Sequence, residues 1–282
     1  MSLTRINTNT DALLAGANLS KIEFQMSRTM ARLSSGLRIN TGADDPSGVA
    51  LMGTFRAQLS GTDVAIQNAE DGLSMMQLAD SALSQNMDIL LRMRDVAVRA
   101  STDATLTTSQ RQSMDQEIQD LRTELGRRTT AISFNTKILL SGGLSGATLQ
   151  VGPDNSATSR MSIQIPICSV SDIGGMSVVV ANVASTAAAQ VAIDIFQSAI
   201  NGLSKLQSIV GVQEQALERT INDLNSTKVN LAAATSRIQD ADMAAEISNF
   251  ARQQVVSLAA TAMIAQANSQ PQQVLSLLGI GG

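Results

Sequence analysis

Leu203, Val210, Leu217, Leu224, Leu231 and Ile238 fall at every seventh position without a break. A column with that period lines one seam of a helix that winds against neighbours, so the stretch 196–238 reads as a long helix with coiled-coil geometry. Its companion column, Ile200, Gln207, Glu214, Ile221, Lys228 and Thr235, is mostly polar. One seam is dry and the next half wet, which suits packing beside other helices better than an isolated two-stranded zipper. At ~1.5 Å per residue such a rod is roughly 65 Å long.

The rest of the chain supplies the neighbours. Leu19, Ile22, Met26, Met30, Leu33 and Leu37, three or four residues apart, form one apolar stripe of a first helix. It stops at Asn40-Thr41-Gly42-Ala43, after which Asp44-Asp45-Pro46 reads as an N-cap with proline in the first turn of the next helix. Leu73, Met76, Ala79, Leu83, Met87, Leu90, Met93 and Ala97 carry that second helix onward, and Met114, Ile118, Leu121 and Leu125 mark a third. Arg111, Asp115, Glu117, Asp120, Arg122 and Glu124 are expected on the solvated face of the third. Between about 141 and 182 the texture changes. Thr148-Leu149-Gln150-Val151, the turn Gly152-Pro153-Asp154-Asn155 and Met161-Ser162-Ile163-Gln164-Ile165 predict a β-hairpin, with Val178-Val179-Val180 a weaker strand candidate.

The last segment places Ile247, Phe250, Val255, Leu258, Ala262 and Ala265 on one stripe, is expected to break at Pro271, and resumes with Val274, Leu275, Leu277 and Leu278. Arg5, Lys21, Arg28, Arg32 and Arg38 outnumber Asp11 and Glu23 in the first segment, whereas Asp240, Asp242 and Glu246 outnumber Arg252 in the last. Opposite charge favours pairing of the two ends. A single pair of such helices buries too little surface to be stable alone, so ordering is expected when many copies stack. The fold class is therefore mainly α: a long-helix coiled-coil bundle with a small β-hairpin region, its N- and C-terminal helices paired. The expected domains are 1–43 with 239–282, and 44–238.

Composition removes most chemistry. The chain has no His, Trp or Tyr, and one Cys among its 282 residues. Without histidine there is no Ser-His-Asp or Cys-His system and no His-ligated zinc. Cys168 lies in an apolar run and reads as a small core residue. A net charge of −4 and scarce aromatics argue against a nucleic-acid partner. No apolar run is long enough for a signal peptide or a membrane span, so neither membrane insertion nor a cleaved signal is expected. No catalytic residue, cofactor or metal ligand is expected. The carboxylate pairs Asp44-Asp45 and Asp240 with Asp242 sit at helix starts, where capping is their expected role.

Leu33-Ser34-Ser35-Gly36-Leu37-Arg38-Ile39-Asn40 followed by Ala43-Asp44-Asp45-Pro46-Ser47-Gly48 resembles the N-terminal signature of the bacterial flagellins. Asn68-Ala69-Glu70-Asp71-Gly72 and Phe134-Asn135-Thr136-Lys137-Ile138-Leu139 are similar to later landmarks of that family. So are Ser236-Arg237-Ile238-Gln239-Asp240-Ala241-Asp242, Ala265-Gln266-Ala267-Asn268 and Pro271-Gln272-Gln273-Val274-Leu275-Ser276-Leu277-Leu278 at the other end. The resemblance implies a structural subunit of the flagellar filament of the compact type, lacking large outer domains. It implies extracellular localisation, export through the flagellar type III apparatus, and a homopolymer served by an export chaperone, a cap and hook-associated junction proteins. The expected assembly residues are Leu33, Leu37, Ile39, Ile247, Phe250, Val255, Leu258, Leu277 and Leu278. The resemblance further implies contact with the flagellin-sensing Toll-like receptor: Arg92 and Glu117 match contact positions, and Val96 replaces the usual leucine. The bland alternative makes Arg92 and Glu117 surface charges and Val96 shaft packing. Two other readings are a hook–filament junction protein, which would form short polymers, and a membrane-binding helical effector, disfavoured by the scarcity of Lys and Arg along the stripes.

Overall fold

The computed structural model describes residues 8–144, 146–173, 177–277 and 279. Its helices are α1 (Thr10–Ser35), α2 (Pro46–Ala100), α3 (Thr108–Ala131), α4 (Thr186–Gln239) and α5 (Met243–Leu277). Short strands β1 (Ser133–Phe134), β2 (Lys137–Ile138), β3 (Ala147–Gln150), β4 (Arg160–Ile163), β5 (Cys168–Ser169) and β6 (Asp172–Ile173) lie between α3 and α4. The chain divides into two compact units, 1–57 with 231–282 and 58–230, and both divisions fall inside continuous helices. The predicted class, long helices with a small antiparallel β region, is what the chain adopts.

The unit 58–230 has a complete core. The predicted stripe of α2 delivers Met76, Leu83, Leu90 and Met93, α3 adds Ile118 and Leu125, and α4 adds Phe196 and the heptad residues Leu203, Val210 and Leu217, all buried. Over the helices lie three antiparallel hairpins, β1–β2, β3–β4 and β5–β6. The predicted hairpin pairs Ala147 with Ile163 through Gln150 with Arg160. It lies against α2 because two glycines open the way: a Cβ on Gly61 would stand 2.7 Å from the Pro153 Cβ, and one on Gly72 2.6 Å from Leu149 Cδ2. Asn68 Nδ2 anchors it by donating to the Gln150 carbonyl at 3.1 Å.

Three expectations are corrected, and two hairpins were not anticipated. Val178–Val180 form no strand: the Val178 amide bonds the Val170 carbonyl at 3.0 Å, and the next two valines turn outward. Hairpins β1–β2 and β5–β6 escape the sequence pattern because strands of two residues carry no period. The turn of β1–β2 rests on Asn135 and Thr136, with φ of 45° and 68°, the left-handed pair a two-residue hairpin requires. The polar face of α3 is not simply solvated. Arg111 is buried and donates to the Ala100 and Thr102 carbonyls and to Asp103, closing the α2–α3 connection. Asp115 accepts from the Val183 amide at 2.8 Å and Arg122 donates to the Val179 carbonyl at 2.6 Å. Finally, α5 runs through Pro271 to Leu277 instead of breaking.

Cys168 is buried as expected, with Asn86 Nδ2 donating to its sulfur at 3.6 Å, and burial pushes the thiol up to about 11. Glu214 on α4 is less well placed. Its Oε1 is buried without a hydrogen-bond partner, and desolvation, then the charges of Asp80 and Glu218, raise its pKa above the ordinary value of 4.5. A raised carboxyl destabilises the fold wherever it is ionised, a cost fully present above the folded pKa and absent below the unfolded one. Glu214→Gln should therefore melt higher than the parent at pH 7 and converge with it below about pH 4, as read by calorimetry.

Candidate assembly surface

The unit 1–57 with 231–282 is built where both chain segments leave their helices together. Gly36 ends α1 at φ 71°, the left-handed C-cap, and its amide bonds the Arg32 carbonyl at 2.8 Å. The next residues pair antiparallel with the α4–α5 break: Leu37 bridges Asp240, the Arg38 amide donates to Gln239 O at 2.7 Å, and the Ala241 amide donates to Gly36 O at 3.0 Å. The Arg38 guanidinium donates to the Ile238 carbonyl at 2.7 and 3.3 Å, a cation on the C-terminus of α4. Ile39 is buried beneath Gly48, where a Cβ would come within 2.7 Å of Ile39 Cδ1.

Carboxylates hold this hinge. Asp44 bonds Arg28 and accepts from the amides of Asn40 and Thr41 at 3.3 and 3.1 Å. The Arg28 guanidinium first, then the Thr41 amide, hold its carboxyl far below the ordinary range. Asp45 caps α2, accepting from the Ser47 amide at 3.1 Å one residue past Pro46, and Asp242 caps α5, accepting from the Ala244 and Ala245 amides at 3.0 and 3.1 Å. Arg32 reaches Glu246 at 3.0 Å, tying the end of α1 to the start of α5. The charge asymmetry of the two ends is thus spent on a specific pair.

α1 is the main partner of α5. Its covered positions are Ala12, Ala15, Leu19, Ile22, Met26, Thr29 and Leu33, which follow the predicted stripe except at Met30, 51% exposed, where Thr29 faces the seam instead. The covered positions of α5 do not follow the stripe predicted for it. Of that stripe only Phe250 is covered; Glu246, Gln253, Ser257, Ala260, Ile264 and Ala267 face the seam with it, so five polar or small residues join Phe250 and Ile264 against the apolar stripe of α1. Gln253 Oε1 and Arg32 Nε are buried there without partners, a cost an apolar seam would not carry.

The apolar residues of α5 point outward instead: Ile247, Val255 and Leu258 are 57%, 67% and 73% exposed, with Val256 and Met263 beside them. On α1, Leu13, Leu14, Phe24 and Met30 are likewise exposed. A groove of about 580 Å³ between the helices is lined by Leu14, Ile22, Val256 and Met263, with Asp11 and Lys21 among its polar residues. The residues expected to act together therefore divide. Leu33, Leu37 and Phe250 are half-buried and Ile39 is buried, whereas Ile247, Val255 and Leu258 face solvent. The Leu277 side chain and Leu278 lie outside the described residues. Leu13, Leu14, Phe24, Val256 and Met263 were missed by the sequence pattern. The available signal was that α5 is apolar on more than one face, a helix that needs cover from more than one side.

Elsewhere, Arg92 and Glu117 join α2 to α3 through an ion pair at 2.6 Å on the surface, and Val96 is 5% exposed within the core. Among the described residues no helix is long and apolar enough to cross a membrane, and no group of three or more acidic, His or Cys side chains could hold a metal.

Two family models match the chain: the bacterial flagellin N-terminal helical region over residues 6–144 and the bacterial flagellin C-terminal helical region over 193–278. The chain is 38% identical to a flagellin of Halalkalibacterium halodurans, over 97% of this chain and 99% of that one. It is 32% identical to the flagellar filament 33 kDa core protein of Treponema phagedenis, with the same coverage of 97% and 99%. A solved structure assigned to a flagellar hook-associated protein of Vibrio parahaemolyticus aligns with a TM-score of 0.60 over 70% of this chain and all of that one, at 14% identity. That likeness concerns the fold alone.

The hinge makes a pH-dependent prediction of its own. A carboxyl lowered in the folded state stabilises it above the unfolded value of 3.8, and the contribution is lost only as pH falls through the folded value. Protection of the Asn40 and Thr41 amides from hydrogen exchange should persist in the parent at pH 4 and be largely lost in Asp44→Asn at pH 7.

Proposed function

The chain belongs to the bacterial flagellin family, whose members are extracellular structural subunits of the flagellar filament and not enzymes, and from that premise we propose that the outward apolar faces of α1 and α5 supply its polymerisation energy. The observation that carries this is the inverted α5, with Val255 and Leu258 exposed and Gln253 and Ser257 covered. Fully burying one such side chain returns about 1.5–3 kcal/mol. Association costs on the order of 4–15 kcal/mol, so several must be covered at once, by neighbours on more than one side. Repeated contacts between unlike patches that do not close produce a helical filament. Leu33, Leu37, Ile39 and Phe250 act one step earlier, holding α1, α5 and the hinge in the form that presents those faces. The curated relatives are named as flagellin or filament core protein, and nothing favours the junction-protein alternative.

The same exposed faces suit a chaperone that covers them before export through the flagellar apparatus, and the cap and hook-associated proteins that contact the polymer's ends. A second reading has its own observation: the Arg92–Glu117 pair sets two receptor-matching residues on one exposed surface, supported from below by Val96. Monomer should activate a reporter for the flagellin-sensing Toll-like receptor and lose most of that signal in Arg92→Ala with Glu117→Ala; no signal at saturating dose would overturn it.

For assembly the test is Leu258→Asp, grown from seeds after heat dissociation and viewed by negative-stain electron microscopy. A buried carboxylate in place of leucine costs at least ~3 kcal/mol per subunit, so the concentration needed for filaments should rise roughly a hundredfold or more. Circular dichroism should still report a folded shaft. Long tubes at the parent's concentration would refute the proposal.

A further inference from the structure

Pro271 lies within α5, with helix on both sides. Proline has no N–H and its ring crowds the carbonyl four residues back, so the Ala267 oxygen loses its helical donor and is pushed out of the ladder. A replacement comes from the other end of the chain. Asn9 Nδ2 donates to Ala267 O at 2.8 Å, across a sequence separation of 258 residues. Asn9 Oδ1 meanwhile accepts from the Ala12 amide at 3.0 Å and caps α1. One side-chain amide therefore spends its acceptor on α1 and its donors on α5. Among favoured cap residues only Asn can do both, since Asp has no donor and Ser or Thr offers a single short hydroxyl.

We propose that Asn9 and Pro271 form a register lock that sets the axial position of α1 against α5, making Asn9 a positioning residue for filament assembly. Interior carbonyls of a helix are already bonded, and proline frees one of them, so Ala267 is the best acceptor in reach for Asn9. A slip of one turn, about 5.4 Å, leaves Ala267 unpaired and carries Asn9 to an oxygen that has its own donor. Between Phe250 and Ile264 the seam residues of α5 are Gln253, Ser257 and Ala260, small or polar groups that fix register less sharply than bulky apolar ones would. In this register Leu14, Ile22, Val256 and Met263 line the groove between the two helices.

The lock rests on the reading of α1 and α5 as the assembling layer, and its test separates the two. Asn9→Ser keeps a capping residue but cannot serve both helices, and Pro271→Ala returns a helical donor to Ala267. In seeded growth of the full chain, Asn9→Ser should raise the critical concentration about tenfold with Pro271 present and less than twofold in the Pro271→Ala background. An equal effect in both backgrounds, or none in either, would overturn the lock. Filaments of the parent chain labelled with 15N-Asn and 13C-Ala give a measurement independent of any variant. Solid-state NMR should find a through-space correlation between Asn9 Nδ2 and the Ala267 carbonyl carbon, and its absence would equally overturn the proposal. Normal polymerisation of Leu258→Asp beside an intact Asn9–Pro271 coupling would instead remove the assembly reading and leave the lock standing.

Discussion

The terminal unit carries more apolar side chains than one copy of the chain can bury. A helix pair has one seam, and here α1 spends its stripe on it while α5 turns Glu246, Gln253 and Ser257 inward and Val255 and Leu258 outward. Exposed leucine and valine on an isolated helix pair are a standing cost to any state in which that pair is alone. The unit 58–230 has the opposite balance. Its heptad residues Leu203, Val210 and Leu217 are buried in one core with α2 and α3 residues of the same chain. On the proposed reading, folding and polymerising fall to different residues, which lets one sequence do both.

This division was only half legible beforehand. The heptad of α4, the stripes of α1 and α2, the Asp45–Pro46 start of α2 and the β3–β4 hairpin were all readable, because each is a local period or a local turn signal. Family resemblance then supplied the filament. The orientation of α5 was not readable. Its apolar residues occur on more than one face, and periodicity alone cannot say which face a partner within the chain will cover and which is left for a second copy. Arg111 failed for a related reason. It sits in a polar stretch, and its burial comes from the carbonyls at the end of α2, groups that every residue possesses and no sequence pattern marks. The helix through Pro271 was not readable either, since the acceptor that proline frees is taken up by a residue 258 positions away in the chain, outside any local pattern.

Apolar surface explains the strength of such an assembly but not its order. Hydrophobic burial is non-directional and changes little when one helix slides a turn along another. A filament subunit must present the same surface in every copy, so something with geometry has to fix the register. Among the described residues the directional contacts between the two ends are the Arg38 bonds to the Gln239 and Ile238 carbonyls, the Ala241 amide on Gly36 with the Leu37–Asp240 bridge, Arg32 with Glu246, and Asn9 on Ala267.

The first three cluster at the hinge, where they set the starting point of the α1–α5 seam. Left to themselves they would constrain the far end poorly, since small changes in helix rise or curvature accumulate over the ~25 residues of α1. Asn9 lies beyond the opposite end of α1, the place where a second constraint has the longest lever. On the proposed lock, the carbonyl that the proline frees in α5 is the acceptor that marks the correct position. Buried polar groups that cost stability yet specify a single arrangement are known from coiled coils, where an asparagine in the seam fixes register. Here the polar group sits at the end of the seam and its partner is created by the absence of a hydrogen.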